Sequence, residues 1–412
     1  MPARQQAAAA IAWLRTPAAV RDRCGAVLEA AERDALAHFA VDASGLEAAA
    51  RTVADLLSTT YPTLDIPLHS RWRHFAAGGI DRWSALAARL DAAAPEELAR
   101  IRIDLAVTSV LLDAGAGERW RYREPASGAT FARSEGLAVA SFELFASGAL
   151  SATPGRRLRA DAAALARIDA PRLAAAFQVT DDNPLVGLDG RAAMLRRLAR
   201  ALESEPELFG APPRIGNLFD HLAGRARAGR LPAPDVLGAL LRGLSVLWPE
   251  GARIDGVPLG DVWRHPAICA GDLTDGLVPF HKLAQWLTYS LVEPLAEAGI
   301  EVTELAELTG LAEYRNGGLL VDLGALRPKH AAVLAEVHPV GAEVIVEWRA
   351  LTVALLDRLA EAVRARLGVD AAALPLAKLL EGGTWPAGRK LAASLRPGGG
   401  PPIRIASDGT VF

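Results

Sequence analysis

Cysteine is nearly absent: the 412 residues contain two, Cys24 and Cys269. Two thiols cannot frame a chain of this length with disulfides, so a reducing compartment is expected, and the cytoplasm is the natural one. Methionine is as scarce, with two residues, and lysine is sparse, while alanine, leucine and arginine dominate. That bias marks a GC-rich genome and inflates apparent helix propensity. An excess of positive charge is missing as well: 45 Lys and Arg stand against 48 Asp and Glu, for a net charge of −3. No basic stripe is available to track a nucleic-acid backbone, and no polybasic patch to hold an anionic membrane. The longest apolar runs fall well short of the ~18 residues that read as a membrane span. The opening MPARQQAAAAIAWLRTP has no clean apolar stretch before Arg15, so no secretory signal is expected.

The chain does have ample material for a core, at 51% hydrophobic residues, and an ordinary 23% of charged ones. This composition belongs to a globular fold and not to a disordered chain. Periodicity points to helices. Thr16 and Pro17 supply an N-cap and a first helical position, and Val20, Cys24, Val27 and Leu28 follow at helical spacing. A second helix is expected at about Ser44 to Leu57, an amphipathic one over 95–114, and others over 134–149, 160–168, 171–177, 189–203 and 234–247. The strongest are 277–295 and 343–366. Residues 58–84, dense in His, Arg and Trp, read as a loop. Residues 119–133 read as a hairpin, turning at Pro125-Ala126-Ser127-Gly128. The Pro-rich breaks at 205–213 and 231–234 are short, with helical spacing on both sides, so they are loops within a domain. The expected fold is mainly α, one multi-helical domain with one or two small hairpins. Residues 1–368 form its body. A Gly- and Pro-rich extension, 369–412, packs on that body and ends in a short hairpin.

Six segments carry polar groups that packing alone does not request. In His69-Ser70-Arg71-Trp72-Arg73-His74-Phe75, alternating cations beside aromatics suit a phosphate, and equally a surface loop anchored by its rings. Thr180-Asp181-Asp182-Asn183-Pro184 reads as turn chemistry. Asp261 and His265, in GDVWRHP, suggest metal ligands, but no HExxH or CxxC spacing accompanies them. Lys282, Gln285 and Trp286 lie on one face of a helix that otherwise reads as buried, where an unpaired Lys or Gln is costly. Glu313, Tyr314, Arg315 and Asn316 precede a glycine pair and are flanked by apolar stretches. A surface ion pair is the bland alternative there. Glu347 and Arg349 interrupt an apolar run and must be paired if buried, with the Glu313 segment as the expected partner. No Walker loop, dinucleotide fingerprint, nucleophile elbow or zinc motif is present, so neither cofactor nor metal is expected.

Taken together, HSRWRHF, LLDAGAGERWRYREPASG, FARSEGLAVASFELF, DDNPLVGLDGR, GDVWRHPA, VPFHKLAQWLTYSLVEP, EYRNGGLLVDLG, EVIVEWRALTVALLDRL and the terminal SDGTVF resemble the uracil catabolism protein 4 family. The likeness runs from about residue 16 to the C-terminus. It implies a place in a pyrimidine catabolic route that passes through ribosylated intermediates and a ribosylurea species. More distantly, the order of elements resembles the queuosine salvage nucleosidases, which cleave a base from ribose 5′-phosphate. Those proteins carry a helix like Val278 to Gln285, a segment like Ala312 to Arg315 with Asp in place of Glu313, a stretch like Glu343 to Arg349, a Pro-Leu-Val like Pro184 to Val186, and a Tyr-Arg pair like Tyr122 and Arg123. The aromatic residues that hold a large base there are replaced here by LLDAGAGERW, and the tail beyond about 368 has no counterpart.

These resemblances imply hydrolysis of the N-ribosyl bond of ribosylurea or its 5′-phosphate. Glu313 is the expected carboxylate at the anomeric carbon, and Asp113 the group holding the urea. Arg71, Arg73, His281, Lys282, Arg315 and Arg349 are expected to bind substrate, several of them through its phosphate. Tyr122, Gln285 and Trp286 would complete the pocket. The expected partner is this small ribosyl substrate, without nucleic acid or membrane, and the number of subunits is left open. A hydrolase or deaminase on the ring-opened nucleotide and a non-catalytic pathway scaffold are the alternatives. The distant relatives imply a fold like helix-hairpin-helix glycosylases.

Overall fold

The computed structural model describes residues 3–90, 94–248 and 250–406. The protein is mainly α-helical. Among the described residues its strands are two or three residues long and pair only in twos. No helix among the described residues is long and apolar enough to cross a membrane. The chain falls into two compact units, each assembled from separated stretches.

The first unit gathers Met1–His69, Glu250–Gln285 and Glu304–Ala406. Its centre is the helix Glu343–Leu367, which packs on Pro17–Glu32 and Ala43–Thr60. Pro17–Glu32 begins as its sequence dictates. The Thr16 hydroxyl accepts the amide of Ala19 at 3.1 Å, and Pro17 needs no donor in the first turn. Ala43–Thr60 is capped by the Asp42 carboxylate on the amides of Ser44 and Gly45. Glu343–Leu367 stops at Gly368, whose φ of 66° closes the helix in the left-handed region. A satellite cluster joins Ala7 and Leu14 to Ile254, Leu259, Val262 and Leu277. The described part of the C-terminal extension belongs to this unit: the helix Trp385–Leu395 lies against Tyr314–Asp322. The hairpin expected at the end of the tail falls on residues 407–412, which lie outside the described residues. Arg404–Ala406 pairs in parallel with Val337–Pro339.

The second unit gathers Ser70–Pro249 and Trp286–Thr303. Pro95–Leu111 runs through it. The expectation of an amphipathic helix fails there, because every residue from Ile101 to Leu111 is buried. A helix buried on all sides has no face left for water. The acid at its centre is paired inside, with Arg214 Nε donating to Asp104 Oδ2 at 2.7 Å. The expected hairpin is present, Tyr122–Arg123 antiparallel to Thr130–Phe131. Residues 70–87 are more regular than a loop. They hold the short helices Arg71–Phe75 and Arg82–Ala87, the latter capped by Asp81. The strong helix expected over 277–295 starts later, as a strand over Leu277–Pro279 and then a helix over Lys282–Glu297. Its first turn counts with the first unit and the remainder with the second.

Candidate functional site

The entry to the helix Lys282–Glu297 is built around Asp261. His281 sits at φ 49°, a backbone region costly for a residue with a β-carbon. The Asp261 carbonyl accepts the amides of Phe280 and His281, at 2.9 and 3.3 Å. Its carboxylate accepts the Lys282 amide at 3.1 Å and the Trp263 indole N–H at 2.8 Å. Arg349 completes the set with two bonds, Nη1 to Oδ1 at 2.8 Å and Nη2 to Oδ2 at 2.7 Å. All four lone-pair positions of the carboxylate are therefore occupied. Burial pushes the acid up, but the Arg349 charge and these donors outweigh it and hold Asp261 at about 2.

Several of the residues expected at the site lie in or beside this cluster. Both terminal nitrogens of Arg349 are taken by Asp261, and its guanidinium lies 4.1 Å from the Phe280 ring centre. Its tie to the Glu313 segment is a marginal 3.5 Å contact from Nε to the Ala312 carbonyl. His281 is buried, with Nε2 2.8 Å from the Leu14 carbonyl. Burial drives its pKa down to about 4, so near neutrality it is an uncharged ring and cannot serve as a phosphate cation. Gln285 is fully enclosed and committed to Thr309. Its Nε2 donates to the Thr309 hydroxyl at 2.6 Å and to the Phe280 carbonyl at 3.1 Å, and its Oε1 accepts the Thr309 amide at 2.8 Å. Its amide fixes a bend in the backbone, which explains a buried Gln without a ligand.

Glu313 is the N-cap of the helix Tyr314–Asp322. Its Oε2 accepts the Arg315 amide at 2.7 Å and its Oε1 the Asn316 amide at 2.6 Å. Each oxygen keeps a second lone pair. The side chain is buried, and this raises its pKa above the ordinary 4.5, opposed by the two amides and then by the positive charges of Lys282 and Arg315. The Arg315 guanidinium reaches the C-terminal extension, with Nη1 donating to the Gly399 carbonyl at 2.9 Å, and lies over the Tyr314 ring. Lys282 is half-buried. Glu313, Arg315 and Lys282 thus form one electrostatic group within the first unit.

A second group lies in the second unit. Arg71 is fully enclosed. Its Nη1 is 3.0 Å from Asp113 Oδ2, and its Nε donates to the Ser109 hydroxyl at 2.8 Å. The Trp286 ring is 5.6 Å from this guanidinium, and the His74 ring meets Trp286 edge-on at 5.7 Å. Arg71 is therefore the partner that orients Asp113, and not an open phosphate fork. Arg73 likewise pairs with Glu293, whose other oxygen accepts the Ser70 hydroxyl at 3.0 Å. Tyr122 is buried, and burial pushes its hydroxyl up to about 12.

The sequence reading missed Asp261 as the organising acid, although GDVWRHP had been singled out. The signal was an acid directly after a glycine, two residues ahead of a tryptophan whose indole N–H it accepts. Thr309 and Ser109 carried no signal, being single hydroxyls in apolar surroundings.

A mainly helical chain with buried acid–guanidinium pairs is the class that fold and site define. It belongs to the family described as "Protein of unknown function (DUF1688)", whose model matches residues 13–412. It is 39% identical over 407 residues to the uracil catabolism protein 4 of Lachancea kluyveri, covering 91% of this chain and 92% of that protein. It is also 39% identical over 401 residues to protein urg3 of Schizosaccharomyces pombe, covering 95% of this chain and 96% of that one. The resemblance to the uracil catabolism protein 4 family therefore holds over nearly the full chain.

Proposed function

We propose that this protein acts in uracil catabolism as a hydrolase of the N-ribosyl bond of ribosylurea or its 5′-phosphate, releasing urea and the ribose. The 39% identity to the uracil catabolism protein 4 of Lachancea kluyveri supports the pathway. The observation that carries the reaction is Glu313, a buried carboxylate of raised pKa at a helix N-terminus, within the field of Lys282 and Arg315. Breaking an N-ribosyl bond develops positive charge at the anomeric carbon. A carboxylate in a low-dielectric setting stabilises that oxocarbenium ion and takes a proton from the attacking water. A raised pKa makes Glu313 a better proton acceptor than an exposed carboxylate, while the two capping amides keep it oriented. Lys282 and Arg315 are the cations assigned to a 5′-phosphate; His281, neutral and enclosed, is not among them.

The test is to incubate the purified protein with synthetic ribosylurea and, separately, its 5′-phosphate, and to measure free urea. Urea from either establishes the reaction, and the faster substrate identifies the phosphorylation state. If folded protein releases urea from neither, the proposal fails and ring-opened pyrimidine nucleotides become the substrates to try.

A further inference from the structure

Glu343 and Glu347 are four residues apart and so share a face at the start of the helix Glu343–Leu367. His38, just ahead of the strand Phe39–Val41, comes up to that face. One ligand atom from each of His38, Glu343 and Glu347 lies within 4.8 Å of the others. His38 Nε2 and Glu343 Oε1 are 3.9 Å apart. The other ring nitrogen, Nδ1, is 3.0 Å from His330 Nε2. One carboxylate oxygen of Glu347 is spent on the amides of His38 and Phe39, at 3.1 and 2.6 Å. The other, Oε2, has no hydrogen-bond partner, although Glu347 is fully enclosed. Beside it, at 3.5 Å, is His265 Nε2, also enclosed and also without a hydrogen bond.

We propose that His38, Glu343 and Glu347 bind a divalent transition-metal ion of the zinc class, separate from the Glu313 group. Imidazole and carboxylate together suit such an ion. Bonds of about 2.1 Å place tetrahedral ligands ~3.4 Å apart, so the His38–Glu343 edge of 3.9 Å needs to close by ~0.5 Å and an edge at the 4.8 Å limit by ~1.4 Å. The half-exposed Glu343 supplies that movement. The His38–His330 contact is the outer support a ligating imidazole requires: Nδ1–H donated to His330 leaves the Nε2 lone pair facing the carboxylates. An ion pair between His38 and Glu343 alone leaves Glu347 Oε2 buried with no closer partner than His265 Nε2 at 3.5 Å, and so weak a contact is expensive for an enclosed carboxylate. A dication at this place removes that cost and ties the start of the long helix to the strand Phe39–Val41.

The test uses the full chain, stripped with a chelator and titrated with Zn²⁺ alone. Calorimetry gives affinity, metal analysis after gel filtration gives stoichiometry, and thermal unfolding gives stabilisation. One bound Zn²⁺ and a raised unfolding midpoint are expected. Glu343→Gln and His38→Ala, both at partly exposed positions and checked for fold by circular dichroism, should each weaken binding by ~10-fold or more, and His330→Ala by about 10-fold. Glu347→Gln disturbs buried backbone bonds and does not decide the matter. The proposal is overturned if folded wild type retains no Zn²⁺. It is equally overturned if the His38→Ala, Glu343→Gln double variant binds it with wild-type stoichiometry and affinity, because the metal then sits elsewhere.

Discussion

Arg349 grips Asp261 with both terminal nitrogens, at 2.8 and 2.7 Å, and neither side chain is more than one-tenth exposed. The pair joins the long helix to the turn that starts Lys282–Glu297, so its loss disturbs more than a charge. Arg349→Met leaves Asp261 buried without a countercharge and should cost about 3–5 kcal/mol in urea unfolding. Replacing both, as Asp261→Asn with Arg349→Met, should cost less than the sum of the single changes. A double variant that costs the full sum means the two residues act independently. The acid held at about 2 also sets a pH window. Its folded pKa lies below the ordinary 3.8, so its contribution is complete above that value and is lost as pH falls toward about 2. Acid unfolding followed by circular dichroism should show this loss in wild type and not in Asp261→Asn.

Glu313→Gln removes the negative charge and keeps one acceptor oxygen for the helix cap, while its NH2 faces the second of the two capping amides. The variant should stay folded, losing about 1–3 kcal/mol for the unpaired amide, and lose turnover on the ribosyl substrate by about 10²–10⁴-fold. The wild-type rate should fall as Glu313 is protonated, with an acid limb above pH 4.5 because burial raises its pKa. Wild-type kcat in Glu313→Gln removes the carboxylate from the mechanism. Asp113→Asn, measured alongside, tests the second acid by itself.

Helix positions were legible because capping and spacing are local: Thr16 and Pro17 announce one start, and Gly368 one end. Buried charge was legible only as a demand for a partner. Glu347 and Arg349 advertised that demand, but the amides of His38 and Phe39, and Asp261, answered it from distant stretches of chain, and Arg71, read as a phosphate cation or a surface loop, is enclosed against Asp113. Nothing in a linear sequence sets that pairing. The same limit explains Gln285, whose helical spacing correctly marked it as buried while its partner, Thr309, lay 24 residues on.

His281 titrates in the opposite sense from an exposed histidine. Its folded pKa is depressed from 6.5 to about 4, by burial first. The unfolded chain binds the proton more readily, so stability is complete above pH 6.5 and declines as pH falls to about 4. The difference amounts to up to ~3 kcal/mol. Unfolding free energies in urea at pH 7.5 and pH 5 should differ in wild type, and the difference should shrink in His281→Asn. An unchanged difference assigns the pH dependence to other groups.

The C-terminal extension reaches the Glu313 group through a close approach of two backbones. A β-carbon on Gly388 would lie 2.2 Å from the Arg315 carbonyl oxygen, well inside contact distance, and both ends of that clash are backbone. Relief requires the helix Trp385–Leu395 to move away from Tyr314–Asp322. Gly388 can therefore be replaced only at the expense of the packing that also brings the Gly399 carbonyl to Arg315 Nη1. Gly388→Ala should destabilise by about 1–3 kcal/mol, as overpacking does. If Arg315 holds the substrate phosphate, the variant should also raise KM for the 5′-phosphate more than KM for the unphosphorylated ribosyl substrate. Gly79, at φ 73° with no atom near its β-carbon position, is the control for backbone conformation without crowding. Stability loss in both variants with KM raised in neither leaves the extension a purely structural role. A KM effect confined to Gly388→Ala and the phosphorylated substrate makes the extension part of the binding apparatus.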